Sequence, residues 1–295
     1  MKVVFFSAKD YADKSANYGD CILIDTGSTM IVYDCGCQEH AERVLAYMKE
    51  AGYKQAEFIL SHNDSDHFDG LPYLIDAGVI SRVYTLLLLK YKKELLKLIG
   101  DGRVTEDSLT EKIKEKYNNI YSLSGKVELV DALTLPTVCV GVKVIGPEKD
   151  AALRAVAKFL DNREGDTLDG ETIYNAICFQ ARVTMDNKKY LLLCGDSAYA
   201  MLEPNLKNIS YIQLPHHGKY EIAEKIFAQK DKEFAVGVKY YVSDNTGSSN
   251  GGSDTLKAKN YGHSVTYTAS GDINIGALLA MPQYVVGKSY GEMVQ

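Results

Sequence analysis

Short blocks of apolar residues, separated by polar turns, run along the chain, and their periods predict a mixed α/β protein. The first third predicts strands at 2–7, 21–25, 30–34 and 57–60. Residues 38–52 have helical spacing with a glycine as their natural end, and residues 69–77 predict a second helix after a polar loop. The order strand, strand, strand, helix, strand is typical of an α/β fold.

The middle of the chain departs from this order. Amphipathic patterns rich in Lys and Glu predict helices at 86–98 and about 106–117, within an insertion at about 86–125. The pattern favours a solvated helical pair packed on the outside, and an element that binds a protein partner is the alternative. Residues 147–170 predict a helix that runs into an acidic loop at 161–166.

The rest of the chain is dominated by strand patterns. Strands are predicted at 127–130, 138–145, 173–184, 190–194, 209–214, 240–242, 265–268 and 273–275. The Gly-, Ser- and Asn-rich residues 245–254 predict a flexible loop. Because no internal repeat, low-complexity tract or linker interrupts the pattern, we expect one α/β domain over 1–295.

Composition narrows the class of protein. The 295 residues include 33 Lys and Arg against 39 Asp and Glu, which gives a formal net charge of −6. This composition excludes a disordered or collagen-like chain and argues against a protein that binds nucleic acid over its whole surface, although not against a local basic groove. The longest apolar runs are too short to span a bilayer, so no membrane contact is expected. Cysteines inside apolar runs indicate buried thiols and a cytoplasmic protein.

Three of the predicted strands end in clusters of Asp and His. The strand at 57–60 runs into SHNDSDH (61–67), the strand at 190–194 runs into Gly-Asp, and the strand at 209–214 runs into Pro-His-His-Gly. Ligand sites of α/β sheets gather at the carboxyl ends of strands. If these strands are neighbours, their polar side chains converge.

The first cluster is the most specific signal. In an extended loop His62, Asp64 and Asp66 project to the same side, while His67 can turn toward a second volume. Crowded carboxylates repel each other unless a cation lies between them, so the cluster predicts metal, with two ions favoured. The alternative is a polar loop whose Asp66 or Asp69 caps the next helix, and it leaves the paired histidines unexplained.

The other two clusters are less specific alone. Asp196 is equally consistent with a cap of a following helix. Two consecutive histidines, His216 and His217, are seldom core residues, and we expect one to bind metal while its neighbour faces the substrate. Cys35 and Cys37 form a weak zinc signal, because no second cysteine pair accompanies them, and a structural role is favoured.

Taken together, SHNDSDHFDG (61–70), LLLCGD (191–196) and LPHHG (214–218) resemble the signature of the metallo-β-lactamase superfamily. They are most similar to the branch typified by the hydrolase domain of ComEC DNA-uptake proteins, which shows HxDxDH where most members show HxHxDH. Residues 19–36 are similar to the hydrophobic hairpin of that branch. The resemblance spans about 2–280 and leaves the helical insertion outside.

The resemblance implies an αββα sandwich with a dinuclear metal site at one edge. The implied ligands of the first ion, the second ion and the bridge are, in turn, His62 and Asp64, Asp66 and His67, and Asp196. His217 would complete the ligands of the second ion and His216 would point at the substrate, although these two could exchange roles. Asp34 would lie beside the site.

The sequence departs from the superfamily pattern in three places. No histidine stands where the superfamily usually has a second-motif ligand, and the residues that could occupy that neighbourhood are Asp169, Glu171, Thr172 and Asn175. Lys219 follows His-His-Gly where Ser is frequent, and it either holds an anionic group or is an exposed loop residue. Asn175 and Lys219 are the candidate substrate contacts. His263 looks like a late family histidine but is out of register, so we expect it on the surface.

The carboxylate-rich ligand set indicates which chemistry to expect. Such a site suits Mn²⁺, Mg²⁺ or Fe²⁺, and Zn²⁺ also fits. Two ions roughly 3.5–4 Å apart lower the pKa of a bridging water and clamp the attacking and leaving oxygens, which suits phosphodiester cleavage. In this expectation Asp66 orients the hydroxide and His216 protonates the leaving oxygen.

Three function classes stay open at this point. The first is a metal-dependent phosphodiesterase or nuclease, whose substrate is a phosphoester, nucleic acid included. The second is a metallohydrolase of another small ester or lactam, which the net charge of −6 fits at least as well. The third is a weakly catalytic metal-binding protein that contacts a protein partner through the helical insertion.

Overall fold

Strands and short helices alternate through the computed structural model, which describes residues 1–161, 167–186, 188–233, 236–247, 253–259 and 262–277. The strands are β1 (Lys2–Phe5), β2 (Cys21–Asp25), β3 (Met30–Cys35), β4 (Ala56–Ile59), β5 (Ile80–Thr85), β6 (Glu128–Asp131), β7 (Thr137–Cys139), β8 (Val142–Gly146), β9 (Thr167–Leu168), β10 (Glu171–Thr172), β11 (Gln180–Thr184), β12 (Tyr190–Leu193), β13 (Tyr211–Gln213), β14 (Lys239–Val242), β15 (Ser264–Tyr267) and β16 (Ile273–Gly276). The α-helices are α1 (Gln38–Ala51), α2 (Ser65–Phe68), α3 (Leu71–Asp76), α4 (Lys92–Ile99), α5 (Glu106–Lys116), α6 (Asn118–Tyr121), α7 (Lys149–Asp161), α8 (Ile173–Ala176), α9 (Tyr199–Leu202), α10 (Pro215–Gly218), α11 (Tyr220–Lys232) and α12 (Asp254–Lys259).

The described strands form two seven-stranded sheets and a two-stranded ribbon of β9 and β10. The first sheet has the order β16-β1-β2-β3-β4-β5-β6 and the second β15-β14-β13-β12-β11-β8-β7. Leu191 and Leu193 face the core that both sheets share, whereas Leu192 faces a second core with α11 and α12. On the first sheet, α1 packs against β3. The predicted α/β sandwich with the layer order αββα is confirmed.

Parallel pairing brings the motif-bearing strand ends together. Strands β3 to β6 are parallel neighbours in the first sheet, and β12 to β15 are parallel neighbours in the second. The loops that follow β4, β12 and β13 therefore leave from the carboxyl edges of the two sheets. Near this edge, the Tyr33 hydroxyl donates to the carbonyl oxygen of Phe179 at 2.6 Å and links the two sheets.

The helical insertion at 86–125 is part of the main core rather than an appendage. Its inner face is buried and belongs to the core cluster that both sheets share; the buried residues include Leu95, Ile99, Leu109, Ile113, Tyr117, Ile120 and Leu123. Helix α4 packs against α7, and the Lys112 ammonium donates to the carbonyl oxygen of Leu160 at 3.1 Å. The other charged residues of α5, except Lys116, are exposed on its outer face.

Two predicted strands are divided in the structure. The prediction of one strand at 173–184 is wrong at residues 173–176, which form helix α8. Within that range only β11 is a strand. The Thr172 side chain accepts from the Asn175 amide and caps α8, and a short apolar run does not distinguish a buried strand from a buried helix. The strand predicted at 138–145 is a hairpin of β7 and β8, which turns at Gly141 with φ +88°.

Sequence reasoning missed helix α11 altogether. Its buried residues Ile222, Ala223, Ile226 and Phe227 follow helical spacing and pack against the second sheet. The helix predicted at 69–77 is α3 at Leu71–Asp76, and the predicted polar loop before it contains a separate short helix, α2, on the other side of Gly70. A Cβ at Gly70 would overlap the sulfur of Cys35 and the carbonyl oxygen of Cys37.

Some predictions fall wholly or partly outside the described residues. Most of the acidic loop at 161–166 and the centre of the loop at 245–254 are among them. The single domain over 1–295 stays a prediction. No helix in the described part of the chain combines the length and the apolar character that crossing a bilayer requires.

Gly19 positions the loop that carries Asp66, and its substitution tests this contact. The residue has φ +64°, and a Cβ there would overlap the backbone carbonyl of Asp66. Gly52 is a matched control, with φ +77° and open space around its Cβ position. Both Gly→Ala changes cost about 1–2 kcal/mol of left-handed strain. We expect Gly19→Ala to cost roughly 1–3 kcal/mol more, because the overlap must be relieved. Urea unfolding of the metal-free variants measures the difference, and equal losses would contradict this role of Gly19.

Candidate metal centre

The segment that follows β4 delivers ligands to two sides. The chain is extended as far as Asp64, which has φ −70° and ψ 150°, and then enters the helical turn α2. His62 and Asp64 lie on the extended part, with His62 Nε2 3.5 Å from Asp64 Oδ2. Asp66 and His67 lie on the helical turn. The expectation of one extended loop is therefore wrong beyond Asp64, because the helical turn gives Asp66 and His67 a different direction.

All four clustered histidines are held in the same manner. In each, Nδ1 lies against a protein oxygen, which leaves Nε2 for the cluster. The Nδ1 partners are Ser61 Oγ for His62 (3.0 Å), Asp34 Oδ2 for His67 (2.9 Å), Glu171 Oε2 for His216 (2.7 Å) and Ser243 O for His217 (3.1 Å). The nearest carboxylates to Nε2 are Asp64 for His62 (3.5 Å), Asp196 for His67 (3.3 Å), Asp196 for His216 (3.8 Å) and Asp66 for His217 (3.0 Å).

Several of these converging atoms are buried and without hydrogen-bond partners among the described residues. They are His62 Nε2, His67 Nε2 and Asp196 Oδ1. Their three residues form one group whose ligand atoms lie within 4.8 Å of one another, and Asp66, His67 and His217 form another. Buried polar atoms without partners are costly, whereas imidazole nitrogens and carboxylate oxygens are ordinary ligands of divalent ions. The residues present therefore fit a metal centre.

Asp34 supports the centre rather than entering it. The carboxylate is fully buried, and it accepts from the Ser61 amide (2.7 Å), the Ser61 hydroxyl (2.7 Å) and His67 Nδ1 (2.9 Å). Its φ of 57° is uncommon for a residue other than glycine and indicates a locally strained backbone. The position of Asp34 beside the site agrees with the sequence expectation.

The His-His-Gly turn sends its two histidines in different directions. His216, His217 and Gly218 have φ of 51°, 52° and 81°, so α10 is a left-handed turn. The His216 amide donates to the carbonyl oxygen of Gly195 at 3.1 Å and joins this turn to the turn that carries Asp196. The His216 side chain is 32% exposed and that of His217 5% exposed. His217 is therefore the enclosed histidine and His216 the one at the mouth of the site.

The region of the missing second-motif histidine is filled by two of the four candidates. Asn175 Nδ2 donates to Asp196 Oδ2 at 3.4 Å. Glu171 is buried and holds both His216 Nδ1 and the Lys219 ammonium, the latter at 2.5 Å. Thr172 caps α8 instead, and Asp169 pairs with Lys225 at 2.6 Å. Lys219 thus lies at the site in an ion pair.

Sequence reasoning missed several supporting residues. Asn17 Nδ2 donates to Asp66 Oδ2 at 2.8 Å. Asp20 Oδ1 lies 3.1 Å from His217 Nδ1, and Asp20 Oδ2 accepts from Gln213 at 2.6 Å. The one sequence feature that could have indicated Gln213 is its amide side chain within the otherwise apolar strand β13. Asn17 gave no signal, because its partner lies 49 positions away along the chain.

Two other sequence candidates lie apart from the cluster. His263 stacks on Phe227 with ring centroids 4.1 Å apart, and its side chain is 22% exposed, so it is half-buried away from the ligands rather than fully on the surface as expected. Cys37 Sγ accepts from the His40 amide at 3.3 Å and caps α1. Cys35 Sγ donates to the carbonyl oxygen of Cys37 at 3.7 Å, which agrees with the structural role that was favoured for this pair.

The charges of the cluster shift its titration strongly. Burial opposes protonation of His67 and His217, but the carboxylates around them, Asp196 first, hold the pKa of both imidazoles well above its usual range. Burial likewise opposes ionisation of Asp66 and Asp196, but the facing histidines outweigh it and hold the pKa of both carboxyls well below its usual range. Without a cation, the cluster therefore keeps protons on imidazole and none on these two carboxylates.

Metal binding should therefore release protons. An imidazole must be neutral to bind a metal, and the raised pKa of His67 and of His217 favours their protonated forms in the metal-free protein. We expect release of at least about one proton per chain on addition of Mn²⁺ or Zn²⁺, and an affinity that rises with pH. Calorimetric titration in two buffers of different ionisation enthalpy measures this release. Binding without proton release would contradict the assigned imidazolium states.

The comparison with family models covers only some of the residues of the metal centre. The model of the metallo-β-lactamase superfamily matches residues 16–138, which include the segment from His62 to His67 but neither Asp196 nor the His-His-Gly turn. No curated protein sequence matches the chain.

Three solved structures are similar to this chain at low identity. A diphosphatase of the PhnP family is 12% identical with a TM-score of 0.48, over 90% of this chain and 94% of the other. YhfI of Bacillus subtilis, a metallo-β-lactamase fold protein, is 14% identical with a TM-score of 0.42, over 72% and 70% of the two chains. Human tRNase Z, short form, is 12% identical with a TM-score of 0.36, over 90% and 96%. At these values the likenesses carry no argument about activity. The superfamily model matches less than half of the chain, and the αββα layers agree with the fold that the resemblance implies, without selecting a branch.

Proposed function

We propose that the protein is a hydrolase that uses two divalent metal ions to cleave phosphodiester bonds, as a member of the ComEC-type branch with its HxDxDH motif. The observation that carries this proposal is the shared arrangement of the four histidines, in which Nδ1 is held by the protein and Nε2 faces a carboxylate of the cluster. Second partners of this kind fix the tautomer and orientation of histidines that bind metal.

In this proposal the ligands would form two sets that share Asp196. His62 and Asp64 would hold one ion, and Asp66, His67 and His217 would hold the other. Asp196 Oδ1 lies 3.3 Å from His67 Nε2, and Asp196 belongs to the same group of ligand atoms as His62. This position suits a bridge between the ions. When bound, two such ions supply Lewis acidity and an activated water for attack on a phosphoryl group. The carboxylate-rich set suits Mn²⁺, with Zn²⁺, Mg²⁺ and Fe²⁺ as the other metals to test.

His216 provides the acid of the reaction in this proposal. Burial disfavours its protonated form, but the hydrogen bond from Nδ1 to Glu171 and the charge of Asp196 outweigh burial and raise its pKa. An imidazole held in this way at the mouth of the site keeps a proton on Nε2 and can give it to a departing oxygen. Lys219 stands beside it and, together with Asn175, would contact an anionic substrate.

The two-ion assignment is tested on bis-p-nitrophenyl phosphate with added Mn²⁺ or Zn²⁺. We expect turnover by the wild-type protein and a loss of more than about 100-fold in Asp66→Asn and Asp196→Asn, since removal of a residue that merely supports a ligand already costs up to that factor. Asp69→Asn is the matched control, because Asp69 lies exposed in the same segment.

The substrate panel separates the function classes. It includes single-stranded DNA, carboxylic esters and a lactam. Turnover of phosphodiesters supports the proposal, turnover confined to esters or lactam replaces it with a different metallohydrolase, and tight metal binding with no turnover leaves a metal-binding protein.

The roles of the two adjacent histidines are separated by a pair of variants. His217→Gln should lose one ion per chain, because His217 is enclosed and faces Asp66. His216→Gln should retain both ions and lose about 100-fold or more in kcat, the range expected for a lost general acid. Metal content after dialysis and steady-state kinetics measure both. If His216→Gln loses an ion while His217→Gln keeps two, the roles are exchanged and this assignment is wrong.

A further inference from the structure

We propose that the helical insertion at 86–125 positions a ligand of the metal centre, with Asn119 of α6 holding the backbone between His62 and Asp64. The inference rests on the proposed metal centre and assigns the insertion a task within it. The residue held is Asn63, which separates the two ligands proposed for the first ion.

Three hydrogen bonds join the insertion to Asn63. Asn63 Nδ2 donates to Asn119 Oδ1 at 3.3 Å and to the carbonyl oxygen of Lys116 at 3.1 Å. In return, Asn119 Nδ2 donates to the backbone carbonyl oxygen of Asn63 at 2.6 Å. Lys116 is the last residue of α5, so Asn63 also satisfies a carbonyl group that the helix end leaves without an intrahelical partner. The bond to the Asn63 carbonyl fixes the peptide plane that leads into Asp64.

Asp64 depends on its backbone more than the other proposed ligands do. Its side chain is 44% exposed, and within the described residues its carboxylate accepts no hydrogen bond and does not cap α2. By contrast, Asp66 Oδ2 accepts from Asn17, and Asp196 Oδ2 accepts from Asn175. A carboxylate without such partners is oriented mainly by the peptide that carries it, and Asn119 holds the peptide next to it.

The insertion is a firm support for this contact. Ile113 and Ile120 are fully or almost fully buried on either side of the Asn119 turn. The Tyr121 hydroxyl accepts from the Leu89 amide at 3.0 Å and ties α6 to the start of the insertion. Tyr117 is buried in the same turn and adds to this packing.

The matched pair Asn119→Ala and Asn118→Ala tests the inference. The two residues are neighbours in α6, but Asn118 is exposed and Asn119 is half-buried against Asn63. Stepwise Mn²⁺ binding is measured by calorimetry, and unfolding of the metal-free variants by urea. We expect Asn119→Ala to weaken one of two binding steps by about 10–100-fold and Asn118→Ala to weaken neither, since outer partners of ligands have effects of that size.

Asn63→Ala provides a second route to the same answer, including the case in which Asn119→Ala does not fold. It removes the two Nδ2 bonds to Lys116 and Asn119 but keeps the bond from Asn119 to the backbone carbonyl oxygen at position 63. We therefore expect it to weaken the same binding step by less than Asn119→Ala does, and the double variant to lose little beyond Asn119→Ala alone. Unchanged Mn²⁺ binding in Asn119→Ala, or in Asn63→Ala where Asn119→Ala does not fold, would overturn the inference and leave the insertion as a packing or partner-binding element. Failure of the wild-type protein to bind Mn²⁺ or Zn²⁺ would instead overturn the proposed metal centre itself.

Discussion

The repulsion among buried carboxylates at one edge of the sandwich is the constraint on which the site depends. Asp20, Asp34 and Asp196 are buried there, and Asp66 lies beside them. Negative charges buried close to one another cost several kcal/mol unless cations or strong donors compensate them. In the chain alone the compensation comes from imidazolium groups, amides and hydroxyls. Two divalent ions would supply this compensation instead, and the imidazoles would then release their protons.

The fold meets this constraint through its backbone. Parallel strands in both sheets end at one edge, where Asp34 near the end of β3 has a left-handed conformation, as do Gly195, His216 and His217 in the turns after β12 and β13. These turns direct side chains from distant parts of the sequence into one small volume. The cost of strained backbone is met by the hydrogen bonds that hold each turn, such as those from Ser61 to Asp34 and from His216 to Gly195. Stability and function are therefore coupled at this edge.

Much of the centre could be predicted because its residues lie in short local motifs. His62 to His67, Asp196 and His216 with His217 each follow an apolar strand, and the αββα layers followed from the resemblance that these motifs carry. The supports could not be predicted in the same way. Gln213 and Asn119 act through partners that only tertiary packing brings near, and no local pattern marks them. Glu171 was one of four candidates for its neighbourhood, but no local pattern showed that it holds His216 and Lys219. The turn at α8 was missed because a short apolar run allows both helix and strand.

The insertion shows the same limit. Its Lys- and Glu-rich pattern predicted two helices correctly in kind, but the pattern could not show that their inner faces join the main core or that Asn119 reaches Asn63. The central claim is that the histidine and carboxylate atoms enclose two divalent ions. Crystals grown with Mn²⁺ and measured for anomalous scattering test it most directly. The account predicts two peaks, one beside His62 and Asp64 and one among Asp66, His67 and His217, with Asp196 between them. The absence of any peak at these side chains would contradict it.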